Sequence, residues 1–177
     1  MCGIVGFTGT QNAAPVLLDG LSKLEYRGYD SAGIAVVQGN QIAISKVTGR
    51  IQNLREKTDD GRLVPGTTGI GHTRWATHGA PNDINAHPHA SNDGKFAVVH
   101  NGIIENYMEL REELLRKGYR FESETDTEVL VKLIDSCYTG DPLRALQEAL
   151  AKVRGSYALA VLFRDFPDPL FAVKRES

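Results

Sequence analysis

The residue best placed to do chemistry is Cys2, which directly follows the initiator methionine. Removal of Met1 would leave a thiol and a free α-amine on the same residue. An ordinary thiol has a pKa of about 8.5 and an α-amine one of about 7.7–8.0, so such an amine can accept a proton near neutral pH. This pairing is the principle of an N-terminal nucleophile. The alternative is a small buried cysteine that opens a strand, and this stretch alone fits both.

A second candidate group is the dipeptide Asn101-Gly102, which follows an apolar run at residues 96–100. An asparagine amide and a glycine backbone N–H can both point at one oxygen, and together they would form an oxyanion hole. The same dipeptide is also a common turn. Both interpretations stay open at this point.

Two charged residues could hold the two ends of an amino acid. Arg74 carries a planar guanidinium that can bind a carboxylate through two parallel hydrogen bonds, although it could also cover Trp75 at the surface. Asp126 could face an ammonium group, cap a helix, or do both, since a carboxylate has several acceptor positions. With a thiol and an oxyanion hole, these groups predict hydrolysis of an amide in an amino-acid side chain.

The remaining thiol and the histidines are assigned no catalytic chemistry. Cys137 lies on the apolar face of a predicted helix and is expected in the core. The spacing of the histidines matches no zinc signature, so we expect structural or substrate-loop roles, with no metal and no cofactor. The histidines are His72, His78, His87, His89 and His100.

Composition limits the class of protein. The 177 residues fit one domain, and 41% hydrophobic with 24% charged residues is typical of a globular chain. A net charge of -2 favours neither nucleic acid nor a membrane surface as partner. Two cysteines are too few for a disulfide framework, which favours a reducing, cytoplasmic setting. No apolar run reaches membrane-spanning length, and the N-terminus lacks signal-peptide features.

The elements that must position these groups follow from hydrophobic periodicity and capping residues. Helices are predicted at 12–24, 51–57, 105–117, from 125 or 126 to 137, and from 141 to near 155. Strands are predicted at 3–8, 32–37, 41–47, 68–75, 96–100, 156–163 and 170–174. Because strands and helices do not alternate throughout, we expect an α+β fold in which helices cover antiparallel sheets.

Five local details complete this prediction. Gly28 is expected to be a left-handed cap, and the strand at 96–100 is expected to break at residues 101–102. In the helix at 105–117, Leu115 is expected to face inward together with Tyr107, Leu110 and Leu114. The last two strands are expected to enclose a loop at residues 165–169, and residues 76–94 to form a long functional loop.

Five segments resemble the class II, N-terminal-nucleophile glutamine amidotransferases. Among these, they resemble the glutaminase domains of the isomerising glutamine–fructose-6-phosphate aminotransferase family. The segments are CGIVG at 2–6, YRGYDSAG at 26–33, HTRWATHG at 72–79, HNGIIEN at 100–106 and SETDTE at 123–128. The resemblance implies a four-layer α/β/β/α sandwich with antiparallel sheets.

The resemblance also implies catalytic and substrate-binding roles. Cys2 would be the nucleophile after removal of Met1, with its own amine as the base. Asn101 and the Gly102 amide would form the oxyanion hole, so Gly102 would also contact the substrate. Arg74 would hold the α-carboxylate of L-glutamine, and Asp126 its α-ammonium group.

Further residues would support this site. Thr77 and His78 would help Arg74 to bind the substrate, and the loop at residues 74–81 would close over bound glutamine. Trp75 would guard the exit of ammonia. Arg27 and Gly28 would help to position the N-terminus.

The resemblance further implies a glutaminase domain at residues 2–177 that continues beyond Ser177, followed in the full protein by a sugar-isomerase domain. That domain would bind fructose 6-phosphate, convert it to glucosamine 6-phosphate with the released ammonia, and form a homodimer. Two alternatives stay open: a catalytically silent glutamine-binding module, and the glutaminase domain of another amidotransferase. A chain that keeps Met1 is expected to be inactive.

Overall fold

The computed structural model describes residues 2–76 and 79–176, which form eight strands, five α-helices and one short 3-10 turn, Glu25–Arg27. The strands are β1 Gly3–Thr8, β2 Ser31–Gln38, β3 Gln41–Thr48, β4 Thr68–Arg74, β5 His89–Ala90, β6 Phe96–Gly102, β7 Tyr157–Phe163 and β8 Phe166–Arg175. The helices are α1 Ala13–Leu24, α2 Ile51–Thr58, α3 Tyr107–Arg116, α4 Asp126–Cys137 and α5 Pro142–Leu150.

The strands form two four-stranded sheets in which every pairing is antiparallel. The first has the order β1-β4-β2-β3 and the second the order β5-β6-β7-β8. Strands β4 and β6 are therefore both interior strands, and each ends at residues predicted to be functional. This confirms the expected α+β class.

Three apolar clusters define the layers of the fold. One joins α1 and α2 to the outer face of the first sheet, and another joins α3, α4 and α5 to the outer face of the second. The third lies between the sheets and includes Ala35, Ile70, Val99 and Leu162. Because each sheet buries both faces, the architecture is the expected four-layer α/β/β/α sandwich.

Side-chain caps set the starts of three helices where the sequence predicts them. Asn12 accepts a hydrogen bond from Ala14 N, Thr125 from Glu128 N, and Asp141 from Arg144 N. The choice between Thr125 and Asp126 is thus decided for Thr125, which leaves the Asp126 carboxylate for other contacts. Helix α5 ends at Leu150, earlier than the predicted end near residue 155.

The prediction for Gly28 is wrong. Its φ is −177°, which is extended backbone and not the left-handed region. A Cβ atom at this position would lie 2.7 Å from the carbonyl carbon of Arg74 and 2.8 Å from the nitrogen of Trp75. Glycine is required here because two backbone segments approach each other closely.

Two strands also differ from the prediction. Strand β6 continues through Asn101 and Gly102, which pair with Ala158 and Tyr157. Strand β8 begins at Phe166 and contains two prolines, which an edge strand tolerates because one of its sides needs no ladder hydrogen bonds.

On α3, Leu115 is 45% exposed and does not face inward. Residues 76–94, predicted as loop, include the short strand β5. In the described part of the chain, no helix is long and apolar enough to span a bilayer.

Candidate active site

Cys2 lies at the edge of the first sheet, beside the end of β4. Strand β1 pairs with β4 so that Gly3 is opposite Thr73, which brings Cys2 next to Trp75. The Cys2 Sγ accepts a hydrogen bond from Trp75 N at 3.2 Å and lies 3.6 Å from Trp75 O. The sulfur is therefore positioned by main-chain groups, not by the tryptophan ring.

The turn between the 3-10 helix and β2 fixes the backbone on the other side of β4. Asp30 N donates to Arg74 O at 3.0 Å, and Asp30 Oδ2 accepts from Ala76 N at 2.8 Å. Gly28 packs against the same backbone. Asp30 is a positioning residue that the sequence prediction missed, although it lies within the segment at 26–33.

Asn101 reaches Cys2 from the second sheet. Its Nδ2 donates to the carbonyl oxygen of Cys2 at 3.2 Å. The next residue, Gly102, has a φ of +122°, and a Cβ there would lie 2.1 Å from Ser156 O. This position therefore requires glycine for both its backbone conformation and its space.

Arg74 is buried at the end of β4, so the alternative of a surface arginine is wrong. Only 5% of the residue is exposed, and its guanidinium donates to Ala80 O at 3.4 Å and Gly79 O at 3.3 Å. Burial lowers the pKa of Arg74, whereas the charges of Cys2, Asp30 and Asp126 oppose that shift. The guanidinium remains a cation because an arginine side chain does not lose its proton in proteins.

Asp126 is the first residue of α4 and is 8% exposed. Its Oδ2 accepts from Ile104 N at 3.0 Å, and its Oδ1 lies 4.0 Å from His100 Nδ1. Burial lowers the pKa of His100, and the charge of Asp126 opposes that shift. The carboxylate thus has a fixed position at the positive end of a helix.

Four histidines are buried behind these groups. The His72 and His87 rings stack with centroids 4.2 Å apart, His87 and His89 meet edge to face at 5.1 Å, and His87 and His100 lie 6.5 Å apart. Burial lowers the pKa of His72 and of His89 to about 3 each, and lowers that of His87 well below its usual value. The cluster is therefore neutral at physiological pH.

Six of the predicted residues line one small cavity of about 40 Å³, whereas Arg27 and Gly28 do not line it. Its lining includes Cys2, Arg74, Trp75, Asn101, Gly102 and Asp126, together with His72 and His100. Its volume is well below the roughly 300–1,000 Å³ that is typical of small-molecule sites.

Two larger cavities lie nearby. One of about 490 Å³ is mainly apolar and is lined by Cys2, Arg27, Leu24 and Leu170 among others. Another of about 500 Å³, with Lys46 and Lys132, does not include the cysteine. The residue types that line the smallest of these three cavities, and not its volume, therefore identify it as the candidate active site.

Some predicted residues cannot be placed. Met1, Thr77, His78 and Ser177 lie outside the described residues.

Cys137 is partly buried against the core cluster of α3, α4 and α5. Within 2–76 and 79–176, no group of three or more histidine, cysteine, aspartate or glutamate residues has the geometry of a metal site.

The fold and the position of the cysteine together define the class of protein. Two antiparallel sheets face each other between helical layers, and a cysteine beside the start of an edge strand meets an asparagine of the facing sheet. This is the arrangement of the N-terminal-nucleophile hydrolases. The family model described as "Glutamine amidotransferase domain" matches residues 72–175, and the chain belongs to that family.

Two curated relatives with high sequence identity to this chain have the same name. The glutamine–fructose-6-phosphate aminotransferase [isomerizing] of Clostridium tetani is 56% identical over 177 residues, which is 100% of this chain and 29% of that protein. A protein of the same name from Thermus thermophilus is 58% identical over 165 residues, 93% of this chain and 27% of that protein. The chain thus spans less than a third of the length of these relatives.

Solved structures agree on the fold. The glutamine phosphoribosylpyrophosphate amidotransferase from B. subtilis, complexed with ADP and GMP, is 28% identical with a TM-score of 0.81 and covers 93% of this chain and 35% of its own. A structure titled as the allosteric regulatory enzyme of purine biosynthesis is 30% identical with a TM-score of 0.79, covering 93% of this chain and 36% of its own.

Proposed function

We propose that this chain hydrolyses L-glutamine to glutamate and ammonia through a γ-glutamyl thioester on Cys2. The observation that carries the proposal is the meeting of Cys2 and Asn101, since the Asn101 amide donates to the Cys2 carbonyl at 3.2 Å. A nucleophile and a donor for the oxyanion thus come from two different sheets to one point.

The two charged groups of the cavity fit the α-groups of glutamine. Arg74 binds the α-carboxylate, helped by Thr77 and His78, and Asp126 binds the α-ammonium group. The two partners in the substrate are of opposite charge, as are Arg74 and Asp126. Binding at both ends orients the side-chain amide, and such positioning lowers the barrier by removing motional freedom in advance.

The reaction has two covalent steps. The Cys2 thiolate attacks the amide carbon, the carbonyl electron pair moves to the oxygen, and the Asn101 amide and the Gly102 N–H stabilise the oxyanion. When the tetrahedral intermediate collapses, the C–N bond breaks and ammonia leaves with the proton that the thiol gave up. Water then attacks the thioester, the C–S bond breaks, and glutamate is released while the thiol regains its proton.

The base in this scheme is the α-amine of Cys2, which exists once Met1 has been removed. Arg27 and Gly28 position the processed N-terminus: Arg27 shares the larger apolar cavity with Cys2, and Gly28 supports the backbone at residues 74–75. The loop at residues 74–81 closes over bound glutamine and excludes water, and Trp75 guards the exit of ammonia.

In the whole protein, the ammonia serves to convert fructose 6-phosphate to glucosamine 6-phosphate on a sugar-isomerase domain. That domain also forms a homodimer, and the enzyme works in the reducing cytoplasm, where its thiol stays free. The amination of fructose 6-phosphate is supported by the high identity to relatives named glutamine–fructose-6-phosphate aminotransferase, which are more than three times as long as this chain.

Ammonia release from glutamine tests the proposal. Purified protein whose intact mass shows loss of Met1 is compared with Cys2→Ala and with Cys137→Ala as the matched thiol control. Cys2→Ala is expected to lose at least about a thousandfold in kcat, because a nucleophile has no substitute. Cys137→Ala is expected to keep the wild-type rate, because that thiol packs against the core of α3, α4 and α5.

Three outcomes would contradict parts of the proposal. Cys2→Ala protein that releases ammonia at the wild-type rate would exclude Cys2 as the nucleophile. Processed wild-type protein that binds glutamine in calorimetry but releases no ammonia would be a silent binding module. Full-length protein that hydrolyses glutamine but does not aminate fructose 6-phosphate would belong to another amidotransferase.

A further inference from the structure

His72 lies at the far end of the Asn101 amide from Cys2. Its Nε2 is 2.8 Å from Asn101 Oδ1 and 3.1 Å from the carbonyl oxygen of His100. The Nδ2 of the same amide donates to Cys2 O at 3.2 Å. The side chain of Asn101 is therefore held at both ends, by a histidine of β4 and by the backbone of the nucleophile.

The contacts of His72 determine its tautomer. Both neighbours of Nε2 are oxygens, and the carbonyl of His100 can only accept a hydrogen bond. Nε2 must therefore carry the hydrogen, which it shares between the two oxygens. The other ring nitrogen, Nδ1, is buried and has no hydrogen-bond partner among the described residues. In a neutral ring with hydrogen on Nε2, Nδ1 carries no proton, so no N–H is buried there without an acceptor.

The tautomer of His72 in turn determines the orientation of Asn101. The oxygen and nitrogen ends of an asparagine amide have nearly the same shape, so packing alone does not distinguish them. Reversal of the Asn101 amide would place its NH2 against the His72 N–H, two donors at hydrogen-bond distance. It would also turn an acceptor toward the Cys2 carbonyl. Both changes are unfavourable, so His72 selects one of two otherwise similar orientations.

We infer that His72 is a positioning residue that keeps the NH2 of Asn101 on the side of Cys2, where it stabilises the oxyanion. An amide nitrogen has two hydrogens. The Cys2 carbonyl uses one of them, and the other serves the oxyanion. The inference rests on the proposed glutamine hydrolysis and adds to it the group that orients its oxyanion donor.

The surroundings of His72 keep its ring in place. His87 stacks on it, with centroids 4.2 Å apart and ring planes inclined by 30°. His87 Nδ1 in turn accepts from His100 N at 3.4 Å, so His100 binds one histidine through its N–H and the other through its carbonyl. Since His72 is 1% exposed, water does not compete for its hydrogen bond to Asn101.

Three variants separate positioning from simple packing. His72→Phe keeps a ring but removes the donor. His72→Gln keeps an N–H near the Nε2 position. Ile70→Val, on the same strand and in the core between the sheets, loosens packing without touching Asn101. All three are assayed in the protein with Cys2 as first residue, with thermal unfolding measured in parallel.

The expected result is a difference between kcat and KM. His72→Phe is expected to lower kcat for glutamine about 10- to 100-fold, the loss seen in metal sites when a group that orients a metal ligand is removed. KM should stay within about threefold, because Arg74 and Asp126 still bind the substrate. His72→Gln should recover kcat to within about fivefold of wild type, because it restores the donor. Ile70→Val should lower the melting temperature and leave kcat unchanged.

A second measurement does not depend on activity. In protein labelled with 15N-histidine, long-range proton–nitrogen NMR correlations report which ring nitrogen of His72 carries the hydrogen. We expect a neutral ring with hydrogen on Nε2 from about pH 5 to 8, the range in which an ordinary histidine titrates. This measurement also applies if His72→Phe does not fold.

Hydrogen on Nδ1 of His72 would overturn the inference, as would His72→Phe protein with wild-type kcat. Equal loss of kcat in the Phe and Gln variants would also overturn it, because the restored donor would then have no effect. If the wild-type protein released no ammonia, the proposed hydrolysis would fail. The tautomer would then still decide whether His72 orients Asn101.

Discussion

The two sides of the candidate site differ in how firmly hydrogen bonds and burial hold their side chains in place. On the side of the second sheet, the Asn101 amide is held by His72 and Cys2, and Asp126 is 8% exposed and accepts from Ile104 N. On the side of the first sheet, the sulfur of Cys2 contacts the main chain of Trp75, whose residue is 44% exposed. The groups that stabilise charge are fixed, whereas Cys2 is only partly buried and Trp75 at the rim is exposed.

This difference follows from the demands of the reaction. Donors aimed at a developing oxyanion are effective when no reorganisation is needed at the moment of reaction. A substrate must still enter the cavity, and the proposed base forms only when Met1 is removed. In the proposed mechanism one side is complete after folding, whereas the other is completed by removal of Met1 and by substrate binding.

Loss of the fixed donor should have the largest effect among the changes that leave Cys2 in place. Asn101→Ala removes the amide donor, and we expect kcat for glutamine hydrolysis to fall about 100- to 1,000-fold, as for other oxyanion-hole asparagines. Asn53→Ala, on the exposed surface of α2, is the control and should leave kcat unchanged. A loss below about threefold for Asn101→Ala would remove this residue from the oxyanion hole.

A substitution at Gly28 tests how the main chain at residues 74–75 is supported. Gly28→Ala places a Cβ 2.7 Å from the Arg74 carbonyl carbon, so the main chain at residues 74–75 must shift. We expect a loss of about 1–3 kcal/mol in the free energy of unfolding and a lower rate of glutamine hydrolysis. Both follow from urea titration and the ammonia assay.

Gly94→Ala gives the contrasting control, since its Cβ would meet no atom within 4 Å although its φ is +67°. It should lose stability through backbone strain but keep the wild-type rate of hydrolysis. Equal effects of the two substitutions on that rate would show that the close approach at Gly28 is unimportant.

Acid should destabilise the protein through the histidines behind Asn101. The pKa of His72 and of His89 is about 3 in the folded chain, against an ordinary value of about 6.5. Below about pH 6.5 the unfolded chain binds protons that the folded chain does not, so stability falls as pH falls toward about 3. The expected slope is roughly 1 kcal/mol per pH unit for each histidine.

Urea titrations at about pH 7 and about pH 5 measure this slope in the range where an ordinary histidine becomes charged. His72→Gln removes one titrating group and should make the slope shallower. An unchanged slope in that variant would mean that His72 does not contribute as a buried neutral base.

The smallest effect is expected at the exposed rim. Trp75 contacts Cys2 through its backbone, and its ring meets Tyr29 edge to face at 5.7 Å. Trp75→Ala keeps the backbone contacts and should change glutamine hydrolysis by less than about threefold, within the range of ordinary surface substitutions. Steady-state ammonia release tests this, and a loss as large as that of Asn101→Ala would place the indole in the reaction itself.

Much of the fold could be predicted because its signals are local. Capping at Asn12, Thr125 and Asp141 and the alternating or continuous apolar runs marked most helices and strands. The errors had non-local causes. Gly28 is determined by a backbone 46 positions away, and Leu115 by which face of α3 meets the core.

The site was predictable to the extent that residue type carries chemistry. Arg74, Asn101 and Asp126 lie around Cys2 in one cavity, as the sequence motifs indicated. The positioning residues Asp30 and His72 were missed, because their contacts join different elements. One signal did exist for His72: it is two residues before Arg74 on a strand, so both side chains lie on the same face.

Labelling by a glutamine-like electrophile, followed by mass spectrometry, tests the central claim most directly. The account predicts one adduct per chain, on a Cys2 that is the first residue, with labelling slowed by L-glutamine and absent from Cys137. An adduct distributed between Cys2 and Cys137, or one formed at the same rate with and without L-glutamine, would contradict it.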